Sequence, residues 1–194
     1  GMATEIAIRS YGLPHEWSPE AIAAAKALPT EVSEESKAGR KDLRELPLVT
    51  IDGADARDFD DAVYCVSRKN GWRLVVAIAD VAAYVLKKVE LDRAALQRGT
   101  STYFPNKVVP MLPEALSNEL CSLKPHVDRL AMVCDLSFDE HGKVTRVRFY
   151  EGVIHSHARL TYQQVQEYLD TGDGTVPGYG KPVSKSVEDF YSLW

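Results

Sequence analysis

The sequence predicts an α/β (α+β) fold, a mixed, mainly antiparallel sheet with flanking helices. Three observations carry this. Short Val- and Ile-rich runs are bounded by turn residues, two pairs of such runs are joined by hairpin-like turns, and helix signals stand at both ends of the chain. With 194 residues, 45% hydrophobic and 26% charged, the chain can bury a core and is neither fibrous nor wholly disordered.

Residues 1–45 read as a helical lead-in and linker. Ser18-Pro19-Glu20 supplies an N-cap and a proline at the first helical position, and the Ala-rich run 21–28 continues as helix until Pro29. Residues 31–44 are mixed in charge and poor in large apolar side chains, which suits a surface connector. Residues 46–194 form the second region. Runs 48–51, 62–66 and 73–79 are strands, and Lys69-Asn70-Gly71 joins the last two as a hairpin because Asn-Gly supplies positive φ. Residues 91–98 form a helix ended by Gly99. Prolines 105, 110 and 113 punctuate an irregular stretch before a short helix at 114–120.

A second hairpin follows. Leu130, Met132, Cys134, Leu136 and Phe138 recur every second residue, and the turn 139–142 leads into a long strand over 144–154. Residues 161–169 are helical and capped by Thr161. Residues 171–186, rich in Gly, Pro and Ser, are expected to form a mobile surface loop, and a helix-like pattern restarts over 187–194 with Phe190, Tyr191, Leu193 and Trp194.

Charge and cysteine content exclude some functions. The net charge of −5 argues against a simple basic module that coats nucleic acid, but leaves room for a localised channel. Cys65, Cys121 and Cys134 are odd in number and lack CxxC spacing, so they read as reduced thiols of a cytoplasmic protein. No apolar run reaches the length of a bilayer span and no signal-peptide pattern opens the chain, so no membrane association is expected.

The chemistry concentrates in residues 50–63, T-I-D-G-A-D-A-R-D-F-D-D-A-V, where five aspartates fall within ten residues between two apolar strands. Carboxylates crowded at the mouth of a sheet are costly unless cations neutralise them. Clustered aspartates suit Mg²⁺, and two such ions can stabilise the attacking and leaving oxygens of a phosphoryl displacement. Asp58 and Asp60 share a strand face that Asp61 opposes, so the turn around Phe59 must reconcile them, with Asp52 arriving from the neighbouring strand end. An EF-hand counted from Asp58 would need Gly where Val63 stands and Glu where Lys69 stands. Composition and spacing alone leave two readings, a catalytic metal site and a solvated acidic turn.

The strings DLRELPLVTIDGADARDFDDAVY, GWRLVVAIADVAAYV, LDRAALQRGTSTYFPNKVVPMLPEALSNELCSLKPHVDRLAMVC and FYEGVIHSHARLTY resemble the catalytic (RNB) domain of the ribonuclease II/ribonuclease R family, and the ribonuclease R branch most closely. The resemblance implies a processive 3′→5′ exoribonuclease that hydrolyses RNA to nucleoside 5′-monophosphates with Mg²⁺, or with Mn²⁺ in its place. The family's T-I-D-x(5)-D-x-D-D pattern falls on Asp52, Asp58, Asp60 and Asp61, which the resemblance makes catalytic and metal-holding. Loss of Asp60 is expected to stop cleavage and spare RNA binding. Tyr103 in the Y-F-P segment is expected to stack on a base near the scissile nucleotide.

The resemblance further implies a fragment, lacking the flanking oligonucleotide-binding domains and the rest of the catalytic domain, and therefore weakly active or inactive alone. The implied partner is the 3′ end of single-stranded RNA. The alternative is a non-catalytic metal- or RNA-binding module that retains the acidic turn. His155 and His157 share a strand face but lack a third ligand nearby, so they read as hydrogen-bonded histidines. Arg159 could contact phosphate, support the acidic cluster or form a structural ion pair, and Arg93, Arg98 and Lys107 read as surface charges that could line an RNA path.

Overall fold

The hairpin announced by Asn70-Gly71 lies at the centre of the sheet. In the computed structural model, which describes residues 1–172, 176 and 178–193, the helices in chain order are α1 (Met2–Ser10), α2 (Pro19–Lys26), α3 (Glu34–Lys37), α4 (Glu90–Arg98), α5 (Tyr162–Thr171) and α6 (Lys181–Leu193). The strands are β1 (Lys41–Asp42), β2 (Val49–Asp52), β3 (Asp61–Arg68), β4 (Gly71–Ala79), β5 (Thr102–Phe104), β6 (Lys107–Val109), β7 (Asp128–Phe138), β8 (Val144–His155) and β9 (Ala158–Thr161). The chain divides into two compact units, Gly1–Glu31 with Val81–Leu120 and Val32–Asp80 with Cys121–Trp194. Among the described residues no helix is long and apolar enough to cross a membrane.

The first unit holds α1, α2, α4 and the β5–β6 hairpin. Ser18 caps α2 as its sequence demands, its Oγ accepting from Ala21 N at 3.0 Å. Gly99 ends α4 with φ of 75°. The Arg98 guanidinium lies 3.6 Å from the Trp17 ring centroid and donates to the carbonyls of Pro110 and Glu16, so it staples this unit. Thr4 donates to Asn106 and Lys107 pairs with Glu5, tying α1 to the hairpin tip. The expected irregular stretch is therefore partly a hairpin, Thr102↔Val109 to Phe104↔Lys107, and the expected helix at 114–120 is a π-turn, Ala115–Leu120.

The second unit is built on a sheet of order β1-β8-β7-β4-β3-β2-β9. Among the described strand pairs of this sheet β1–β8 and β2–β9 are parallel and the others antiparallel, so the mixed, mainly antiparallel sheet predicted from sequence is the one observed. β3 and β4 pair from Asp61↔Ile78 to Arg68↔Gly71, leaving Lys69 and Asn70 as the two loop residues. Gly71, not Asn70, carries the positive φ (129°), and a Cβ there would meet the Phe138 carbonyl oxygen at 2.0 Å. β9, unforeseen in the sequence, lies beside β2 with Val49↔Ala158 through Asp52↔Thr161 in register.

Helices α5 and α6 close one side of this strand pair. Thr161 and Gln164 form a reciprocal capping box that starts α5, as the Thr161 signal predicts. Val49, Ala158, Leu160, Tyr168, Val183 and Val187 bury together, with Ile51 and Val63 packed against them. Helix α6 begins at Lys181, inside the loop expected over 171–186. Pro182 sits in its first turn, where a missing N–H costs nothing, so a proline that reads as a breaker is a starter here. The segments of the expected loop at 173–175 and 177, and Trp194, lie outside the described residues. β3 pairs with β2 near Val63, and α6 side chains satisfy two further N–H groups of the strand. Cys65 N donates to Ser186 Oγ and Ser67 N to Asp189 Oδ2, both at 3.0 Å.

Candidate active site

β2 and β3 run antiparallel, so the Asp52 end of one and the Asp61 start of the other lie at the same end of the sheet. The loop 53–60 joins them and holds the remaining acidic residues. Asp52 is fixed by a strand whose Val49 and Thr50 are each 1% exposed, and its Oδ1 accepts from Gly53 N at 2.6 Å.

Phe59 solves the alternation problem in D-F-D-D. Its side chain is 6% exposed, which turns the flanking Asp58 and Asp60 away from the core. The backbone around it is pinned by Ser122, fully buried: Phe59 N donates to Ser122 Oγ at 3.1 Å, and that hydroxyl donates to the Arg57 carbonyl at 2.8 Å. Leu123 N donates to the Phe59 carbonyl, and Arg129 Nε to the Ser122 carbonyl, each at 2.8 Å. On the other flank Arg159 Nη2 donates to the carbonyls of Gly53, Ala54 and Ala56, and its guanidinium lies 5.3 Å from the Phe59 ring. Arg159 thus supports the acidic loop through its backbone carbonyls.

Two aspartates of the motif respond to the charges of the others. Partial burial pushes the Asp60 carboxyl up, and the charges of Asp58, Asp61 and Asp52 push it further. Burial and then Asp52 do the same to Asp61. Asp60 and Asp61 keep solvent contact, so they are neither sealed nor dispersed. Among the described residues no three His, Cys, Asp or Glu side chains converge closely enough to hold a metal ion as they stand. The donor set is nonetheless all carboxylate oxygen, the kind Mg²⁺ and Mn²⁺ take. The repulsion that raises Asp60 and Asp61 is what a divalent ion would relieve, so the donors suit such an ion in kind and charge.

Asp61 also lines a groove of about 310 Å³ together with Ile51, Val63, Phe190 and the exposed Tyr162 and Tyr191. Tyr191 belongs to the aromatic, helix-like pattern that the sequence shows over 187–194, whereas Tyr162, at the start of α5, carried no signal. Asp80, which interrupts the apolar run 74–86, is buried in an ion pair with Arg40 at 2.7 Å. Ser122 carried no local signal.

The other expectations resolve individually. Tyr103, on β5 in the first unit, is 65% exposed, so it is not a core residue of its strand. His155 Nδ1 bonds Asp128 at 3.1 Å, and His157 Nε2 donates to the Arg44 carbonyl at 2.9 Å, the hydrogen-bonded roles expected. Arg93 pairs with Glu90. Burial pushes the thiols of Cys65 and Cys121 up to about 11 and about 12, which removes them as nucleophiles.

Residues 40–193 match the family model described as RNB domain. The chain is 54% identical over 195 residues to Ribonuclease R of Vibrio cholerae serotype O1 and 55% identical over 196 residues to Ribonuclease R of Escherichia coli K12. Each alignment covers 100% of this chain and 24% of the relative, so the chain spans about a quarter of their length. Among solved structures, Mycoplasma genitalium RNase R in complex with double-stranded RNA superposes with a TM-score of 0.92 at 35% identity, over 99% of this chain and 34% of that one. The same protein with ribose-methylated single-stranded RNA gives 0.92 and 35% as well, over 99% of this chain and 30% of that one.

Proposed function

The chain belongs to the RNB domain family, and from that premise we propose that it carries the acidic site of a 3′→5′ exoribonuclease that releases nucleoside 5′-monophosphates. The observation that carries the reading is that Asp52, Asp58, Asp60 and Asp61 lie at the same end of the sheet, where the charges of the other three raise the Asp60 carboxyl. Support for RNA as substrate comes from the Mycoplasma genitalium relative, solved with RNA bound.

In this reading the four carboxylates hold Mg²⁺, or Mn²⁺ in its place. A bound pair of divalent ions supplies the positive charge that stabilises the attacking and leaving oxygens of an in-line displacement. The protein's own part is placement. Phe59 and Ser122 hold the D-x-D-D turn, and β9 holds the Asp52 strand end. Tyr103 offers an exposed ring on which a base can stack without regard to sequence, as a nuclease of low sequence preference requires. Hydrolysis of the last phosphodiester leaves a 3′-hydroxyl on the shortened RNA and a 5′-phosphate on the product. Because the chain spans about a quarter of its relatives, the 194-residue polypeptide alone is proposed to be weakly active or inactive.

The test is a chimera in which this chain replaces the matching quarter of the Vibrio cholerae protein. Asp60→Asn is expected to abolish Mg²⁺-dependent degradation of single-stranded RNA while RNA affinity stays unchanged. Unaltered degradation would place the chemistry elsewhere.

A further inference from the structure

We propose that Arg159 is a positioning residue, whose guanidinium clamps the acidic loop by its backbone and so fixes where Asp58, Asp60 and Asp61 stand relative to Asp52. The inference deepens the divalent-ion reading above and rests on it.

The loop 53–60 has little of its own to hold it. Its one internal backbone hydrogen bond among the described residues is Ala56 N to Gly53 O at 3.2 Å. Five aspartates lie within residues 52–61, and unrestrained like charges would expand such a loop. Arg159 Nη2 meets the carbonyls of Gly53 and Ala56 at 3.4 Å each and that of Ala54 at closer range. Its guanidinium also packs on Phe59, the side chain that divides Asp58 from Asp60. One cation therefore touches the loop at its first residue and at its D-x-D-D turn. The parallel pairing sets Arg159 directly beside Thr50, so its long side chain reaches along β2 to the loop that starts three residues later.

The choice of acceptor matters. An arginine paired with an aspartate would occupy an oxygen that a divalent ion needs. Among the described residues none of the hydrogen bonds of Arg159 goes to a carboxylate, so it brings positive charge to the loop and leaves the carboxylates available. A planar guanidinium can also lie against an aromatic ring while donating from its edge, which an ammonium does less well.

The experiment compares the unsubstituted chain with Arg159→Met, Arg159→Lys and, as a remote control, Tyr150→Phe. Amide hydrogen exchange is followed without metal, and Mn²⁺ alone is titrated by calorimetry. Arg159→Met is expected to speed exchange of amides 53–60 while β7 and β8 stay protected, and to weaken Mn²⁺ binding roughly 10- to 100-fold, the range for groups that orient metal ligands. Arg159→Lys is expected to recover part of both, and Tyr150→Phe to change neither. Unchanged loop exchange in Arg159→Met overturns the proposal, as does faster exchange spread evenly over β7 and β8. If the unsubstituted chain itself fails to bind Mn²⁺, the metal reading falls, while the exchange measurement still decides whether Arg159 sets the loop.

Discussion

Phe59 and Ser122, 63 positions apart, are joined by a hydrogen bond of 3.1 Å from the Phe59 amide to the Ser122 hydroxyl, which in turn donates to the Arg57 carbonyl at 2.8 Å. One buried side chain thereby satisfies a donor and an acceptor of the loop that carries the aspartates. Ser122→Ala is expected to leave both groups without a partner and to cost about 1–3 kcal/mol. Urea unfolding checks this, and a midpoint unchanged within error would show that solvent replaces the hydroxyl.

Divalent ions should stabilise the folded chain if the carboxylates hold them. A ligand that binds only the folded state at 100 times its dissociation constant adds about 2.7 kcal/mol. Mn²⁺ is expected to raise the melting temperature of the chain and chelator to reverse it. The rise should be lost in an Asp52→Asn, Asp58→Asn double variant. An equal rise in that variant would move the ion to another place.

The Arg73–Asp135–Tyr150 group gives a pH dependence with a definite sign. Arg73 Nη2 and Tyr150 Oη donate to Asp135 Oδ2 at 2.8 and 3.0 Å. The bond from Arg73 holds the Asp135 carboxyl below its ordinary value, against burial, which alone would raise it. A carboxyl depressed in the folded state stabilises the fold above its unfolded pKa of about 3.9, and that contribution is lost as pH falls through the folded pKa. Asp135→Asn should therefore cost most at neutral pH, about 3 kcal/mol, with the gap to the unsubstituted chain closing on acidification. Unfolding midpoints compared at neutral and acid pH test it, and a constant gap would refute it.

Gly71→Ala is expected to be severe for a steric reason. The added Cβ would meet the Phe138 carbonyl oxygen at 2.0 Å on a backbone with φ of 129°. A loss above about 2 kcal/mol follows from the clash and the strained φ together. Circular dichroism melting of the variant reads it directly.

Much of this was legible beforehand where side chains repeat along the chain. The alternation Leu130, Met132, Cys134, Leu136 marked β7, Ser18-Pro19 marked α2 and Thr161 marked α5, because each signal is local and physical. The acidic motif was legible because charge density is visible in one dimension. The supports were less so: Ser122 carried no signal and Arg159 was open to three roles, because both act on backbone N–H and carbonyl groups of a loop 63 to 106 positions away, and such groups look alike in every sequence. β9 escaped because four residues, A-R-L-T, are too few to show a period, and its pairing with β2 is parallel and distant. The later part of α6 was marked by the helix-like pattern over 187–194, but its first turns escaped because Pro182 and the neighbouring glycines and serines resemble a loop by composition, although Val183 and Val187 repeat at helical spacing.

The parallel match of Val49–Asp52 with Ala158–Thr161 has a bearing on biosynthesis. More than a hundred residues separate the two partners, so a ribosome adding roughly 5–20 residues each second needs on the order of 5–20 s between them. Throughout that interval the emerging polypeptide has every aspartate of the motif but lacks the frame that seats them, and a product terminated before Ala158 would stay in that unset condition.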